Sequence, residues 1–244
     1  AARSACDWSV VHNAVDMALF PDPVPPISSR PRWVGYWSSP DRGLHHLLAA
    51  WPQIRAAVPD AELRIYYQVY RYLAAVLGSP DSGASWGVQI GMALRDWLDR
   101  VRGLGVTVVD AVPRRVLARD QMKCRVLAYT CAPQGYTEGF GQAVPEAMAA
   151  GCLPVVRPAD AFSDLWAPMC WCLESDPADP AFVEEIAAKV IRGLTEWDGA
   201  KAPSQADLRA WAGQWTWDRS ADAAERAINR AVTWRRRREQ EAGA

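Results

Sequence analysis

Between residues 31 and 174 the chain alternates short apolar runs with longer stretches whose apolar residues recur at helical spacing, and this alternation limits the available folds more than any other feature. Arg32-Trp-Val-Gly-Tyr-Trp37 reads as a strand, 38–42 as a loop, and 43–58 as an amphipathic helix with Leu44, Leu47, Leu48, Trp51 and Ile54 on one side. A strand over 62–67 follows. The Gly/Ser/Pro/Asp-rich stretch 78–87 reads as a turn or loop, and helical periodicity returns over 88–103. Next come strand 106–110, helix 114–122, strand 125–130, helix 142–151, strand 153–157 and a last strand at 171–174. Strands that are short and apolar on both faces, each followed by a helix, predict an α/β fold with a doubly wound, Rossmann-like parallel sheet. In such a sheet ligands bind beyond the C-terminal strand ends, which brings the loop at 38–42 and residue Glu138 to one rim.

The flanks differ from this pattern. In residues 1–30, Ser9 to Asp16 is compatible with a short strand and turn, after which Pro21, Pro23, Pro25 and Pro26 exclude regular hydrogen-bonded structure. Residues 31–176 form the Rossmann-like domain, and 177–244 read as helices only, over 181–196, 205–214 and from 217 to about 238. Arg235 to Arg238 close the last helix, where cations complement its dipole and the expected surroundings are solvent.

Half of the 244 residues are hydrophobic, enough for a substantial core, and the formal net charge of −1 gives no sign of a nucleic-acid partner. Six cysteines, Cys6, Cys124, Cys131, Cys152, Cys170 and Cys172, show no CxxC pair, so buried free thiols are expected rather than a disulfide framework or zinc site. No apolar run is long enough to cross a membrane, and a cytoplasmic protein is the expectation. His45 and His46 are neighbours and cannot grip one metal from a helix face; Asp160 and Asp164 lack a further ligand, so no metal is expected.

Chemistry concentrates in Glu138-Gly-Phe-Gly-Gln-Ala-Val-Pro-Glu146. Gly139 and Gly141 permit a tight path between a strand and a helix that starts near Ala143. The turn exposes backbone N–H groups at the positive end of a helix dipole, a natural seat for phosphate. Two carboxylates flank it, acceptor-only groups suited to sugar and ribose hydroxyls.

This segment, continued by Ala147-Met-Ala-Ala-Gly-Cys-Leu-Pro-Val-Val156, closely resembles the donor-site signature of GT-B glycosyltransferases, the large retaining family 4 in particular. The resemblance covers about residues 9 to 235 and implies one half of a GT-B fold, the half that binds a nucleotide-diphosphate sugar of UDP or GDP type without any further cofactor. It implies that Glu138 acts in catalysis on the donor sugar. Glu146 would bind the ribose, and the amides of Gly139, Phe140, Gly141, Gln142 and Ala143 the sugar and phosphates. Around Gly35 the family places an Arg and a Lys for the diphosphate; here Tyr36 stands at the first position and Arg42 at the second. Ala111, Val112 and Arg114 fall where the nucleobase pocket is expected. Asn13, Val15, Asp16 and Phe20 match the crossing between the two GT-B domains, which implies that the acceptor-binding domain precedes this one or is supplied by a partner chain. Two alternatives to a hexosyltransferase acting on an unknown acceptor hydroxyl follow: a noncatalytic nucleotide-sugar-binding module, and a GT-B-like epimerase.

Overall fold

The computed structural model describes residues 9–78, 85–131 and 138–242. Six parallel strands form one sheet: β1 (Trp33–Tyr36), β2 (Glu62–Ile65), β3 (Val106–Val108), β4 (Cys124–Tyr129), β5 (Leu153–Val156) and β6 (Trp171–Cys172). Their order is β3-β2-β1-β4-β5-β6, so the chain winds outward from β1 on one side, returns, and winds outward again from β4. The doubly wound sheet expected from the sequence is therefore present. The two halves meet where β1 pairs with β4, and the strand ends at such a reversal are where doubly wound sheets bind their ligands.

The helices are α1 (Leu44–Ala57), α2 (Val69–Leu77), α3 (Trp86–Arg100), α4 (Arg114–Gln121), α5 (Ala143–Ala149), the single turn α6 (Phe162–Leu165), α7 (Ala181–Thr195), α8 (Gln205–Ala212) and α9 (Trp217–Ala242). One continuous core joins them to the sheet. Leu44, Leu47, Leu48, Trp51 and Ile54 of α1 are all fully buried, as their spacing requires, and α1 packs on α7 while α5 packs on α8. Burying a Leu or Ile side chain contributes about 1.5–3 kcal/mol, so this face fixes α1 firmly against the sheet.

Several elements differ from the sequence reading. Strand β2 stops at Ile65, and Tyr66 and Tyr67 turn out of the sheet before α2, a helix the sequence reading lacks. Strand β6 has two residues rather than four. Residues 9–16 form no strand. Val15 N–H instead bonds to Trp215 O at 2.7 Å, and Asp16 accepts from Ala18 N–H to cap a 3-10 turn at Met17–Leu19. The loop expected over 78–87 lies partly outside the described residues, as does Cys6; the other five cysteines are free thiols. No described helix is long and apolar enough to cross a membrane.

Candidate active site

The β1–α1 loop is fastened before it carries any chemistry. The buried Tyr36 donates its hydroxyl to Ser39 O at 2.7 Å, and Thr130 Oγ1, just past β4, donates to Gly43 O at 2.6 Å. Gly43 has φ of 89°, and a Cβ there would lie 2.2 Å from Thr130 O, so only glycine fits. This loop delivers Arg42 above the β1–β4 junction. Arg42 Nη1 donates to Glu138 Oε1 at 2.8 Å. Burial is the largest single influence and opposes the guanidinium charge, but the Glu138 carboxylate together with Tyr129, Asp41 and Cys131 outweighs it and holds the Arg42 pKa above its ordinary value.

Glu138 Oε1 also accepts from Tyr129 OH at 2.6 Å, and that phenol lies 3.0 Å from Ser38 Oγ. Burial, with the Glu138 charge adding to it, raises the Tyr129 pKa, so the phenol stays protonated and donates. The main chain of Glu138 is pinned as well: its N–H donates to Asp160 Oδ2 at 3.1 Å and its carbonyl accepts from Ala161 N–H at 3.2 Å. Glu138 is 8% exposed, a nearly buried carboxylate satisfied by donors from both halves of the sheet.

After Glu138 the chain follows the tight path its glycines permit. Gly141 has φ of 71°, and a Cβ there would stand 1.7 Å from Phe162 Cε1. A Cβ on Gly139 would meet nothing within 4 Å. The Phe140 ring leaves the site and packs edge-on against Trp166 and Trp215, with centroids at 5.1 and 5.7 Å, while its carbonyl accepts from Trp166 Nε1 at 2.6 Å. Among the described residues, the N–H groups from Gly139 to Ala143 have no backbone acceptor. They remain available at the start of α5.

Glu146 lies one turn into α5 and is also nearly buried. Arg114 Nη2 donates to its Oε1 at 2.7 Å, Gln142 Nε2 to the same oxygen at 3.2 Å, and Gln121 Nε2 to Oε2 at 3.1 Å. Arg114 and Gln121 bracket α4, so that helix and α5 share the carboxylate. Three of the residues singled out in the sequence, Glu146, Arg114 and Gln142, thus meet at one point. A cavity of about 500 Å³ opens beside α4 at the ends of β2 and β3, lined among others by Tyr66, Tyr67, Tyr72, Asp110, Ala111 and Val112. Gly35 lies deeper, inside β1, where a Cβ would fall 2.0 Å from the Trp37 ring; the indole in turn donates to Ala143 O at 3.0 Å and ties β1 to the start of α5.

Tyr129, Ser38 and Gln121 had no motif to mark them. Their only signal in the sequence is position: a polar side chain at or just past the C-terminal end of a strand, or at the end of a helix, in a doubly wound pattern. The two histidines form no site. His46 packs edge-on against Phe182 at 5.1 Å, and burial lowers the pKa of His45 to about 3 and of His46 to about 4, so both are neutral near pH 7.

No protein-family model matches the chain, and no curated protein is similar to it in sequence. Solved structures do match. Anabaena HepE in complex with UDP and glucose superposes with a TM-score of 0.62 at 18% identity, over 91% of this chain and 56% of that one. Sucrose-phosphate synthase from Thermosynechococcus elongatus gives 0.65 at 17% identity, over 91% and 52%. The pneumococcal O-GlcNAc transferase GtfA in complex with UDP and GlcNAc gives 0.58 at 11%, over 91% and 38%. At such identities the likeness establishes the fold: a Rossmann-like domain of the kind that makes up one half of a GT-B structure. The chain spans between about a third and somewhat over half of the length of these structures.

Proposed function

We propose that this chain is the donor-binding half of a retaining GT-B glycosyltransferase of the family 4 type, which transfers a hexose-type sugar from a UDP or GDP donor to an acceptor hydroxyl. One observation carries the reading. Two nearly buried carboxylates, Glu138 and Glu146, stand on either side of the unengaged amides that open α5, at the reversal of a doubly wound sheet, and each holds an arginine. That is an arrangement for a ligand with hydroxyls at both ends and negative charge between them.

In this reading the base enters the cavity beside Val112, and the ribose hydroxyls replace Arg114 on Glu146. The diphosphate takes the amides of 139–143 together with Arg42. Glu138, released from Arg42, accepts from the donor-sugar hydroxyls and stabilises positive charge as the bond from the anomeric carbon to the diphosphate lengthens. The acceptor oxygen bonds to that carbon on the face the diphosphate leaves, which gives retention, and its proton goes to the departing phosphate. The acceptor would be held by a second Rossmann-like domain, from the same protein or a partner chain.

Calorimetric titration with UDP, GDP and their sugars tests the reading directly; heat-silent, unchanged titrations with all of them would end it. Glu146→Gln is expected to weaken UDP binding by roughly 1.5–3 kcal/mol, the worth of hydrogen bonds to a charged acceptor. One feature favours a noncatalytic binding module as the second reading: Tyr36 occupies the place of a phosphate-binding cation and is fully buried. Release of free nucleotide on adding acceptors separates the two.

A further inference from the structure

The rim arginines differ in what holds them. Arg42 is paired with Glu138 and Arg114 with Glu146, but Arg157, the first residue after β5, has no such partner. Its backbone N–H bonds to Tyr129 O at 3.1 Å, and its guanidinium makes a single long contact, 3.4 Å, to Cys131 O. Among the described residues no carboxylate comes within ion-pair distance of it, although the side chain is partly buried. A cation drawn out of water without a counter-charge is unfavourable, and an anionic ligand is the simplest way to complete it.

Its place on the rim suits such a ligand. Arg157 reaches the carbonyl of Cys131, two residues past β4, while Glu138, the carboxylate that Arg42 holds, accepts from Tyr129 OH on the last residue of that strand, so both arginines border the C-terminal end of β4. Strands β1, β4 and β5 are adjacent. With neighbouring strands about 4.8 Å apart, the chain leaves β1 and β5 about 10 Å apart, a gap that two arginine side chains readily span. A diphosphate carries more charge than Arg42 alone offsets, and the buried Tyr36 hydroxyl, committed to Ser39 O, offers no help.

We propose that Arg157 is the second phosphate-binding cation of this site, facing Arg42 across the end of β4 and gripping the diphosphate of the nucleotide-sugar donor. The inference rests on the donor-site reading above and replaces the cation that Tyr36 displaces.

Calorimetry on wild type, Arg157→Gln and Arg157→Lys, with UDP, uridine and inorganic pyrophosphate, tests it, after thermal melts show that the variants fold. Arg157→Gln is expected to lose about tenfold or more in affinity for both UDP and pyrophosphate, with uridine unchanged and Arg157→Lys in between. If wild type binds UDP and Arg157→Gln binds it equally well, the inference is overturned and the donor reading stands. An equal loss of uridine binding would show a structural role and also overturn it. If wild type binds no nucleotide but binds pyrophosphate through Arg157, the donor reading fails and the anion site survives; pyrophosphate binding that is absent or independent of Arg157 overturns the inference whatever the nucleotides do.

Discussion

The two ends of the sheet use arginine in opposite ways. At the N-terminal end Arg30, 3% exposed, donates to Cys124 O and Ala150 O at 2.8 Å each and to Pro25 O at 3.0 Å. Arg125 donates to Arg30 O and Leu194 O, and Arg209 to Phe20 O and Ala149 O. The hydrogen bonds of these guanidiniums go to backbone carbonyls, groups that no ligand displaces, and the exposed Asp22 carboxylate stands 3.7 Å from Arg209 as an addition. At the C-terminal end Arg42 and Arg114 end on carboxylates, and Arg157, among the described residues, on one carbonyl at 3.4 Å. Several short bonds to carbonyls mark an arginine that fastens the chain; an exchangeable acid, or a single long carbonyl contact with no acid beside it, marks one that waits for an anion.

The largest effect that tests this contrast belongs to the fastening end. Arg30→Met leaves two buried carbonyls without donors and should cost about 3 kcal/mol or more in urea unfolding, with UDP affinity of the folded protein unchanged. A cost below 1 kcal/mol would erase the distinction. Next, Arg42→Met removes a partner from a nearly buried carboxylate that keeps Tyr129. A stability loss of about 2 kcal/mol is expected, with UDP affinity falling more than tenfold by calorimetry. Arg114→Gln should change unfolding free energy by under 1 kcal/mol, because its side chain is 62% exposed and Glu146 retains Gln121 and Gln142.

A pH effect is the smallest. The unfolded chain protonates His45 and His46 near pH 6.5, whereas burial delays protonation in the folded chain to about 3 and 4. The unfolded state therefore binds more protons in that window, and stability should fall as pH drops from about 6.5 toward 4. His46→Phe, which keeps a ring against Phe182, should flatten this slope in denaturation curves taken across the window.

Much of the fold was legible because it depends on local pattern. Short apolar strands and the 3.6-residue spacing of Leu44, Leu47, Leu48, Trp51 and Ile54 needed no knowledge of partners. Helix α2 escaped because Val69-Tyr-Arg-Tyr72 mixes β-branched and aromatic residues, which suit a strand equally well; packing of Val69 and Leu73 decides for helix. In the site, Glu138 and Glu146 were visible through the glycines and the helix between them. Their company was not. Gln121 reaches Glu146 across 25 residues and Arg42 reaches Glu138 across 96, and nothing in the intervening sequence encodes the meeting except the sheet that forces it.

That separation of 96 residues has a kinetic consequence. Arg42 belongs to the half of the sheet wound from β1, and Glu138 to the half wound from β4, so the two meet only when a loop of 96 residues has closed. Each half can acquire helices and local strand pairing earlier, but the pocket comes into existence with the β1–β4 seam. A ligand that bridges the seam then acts as a clasp on the last step of folding. In hydrogen exchange it should slow the opening of β1 and β4 amides far more than those of the edge strands β3 and β6.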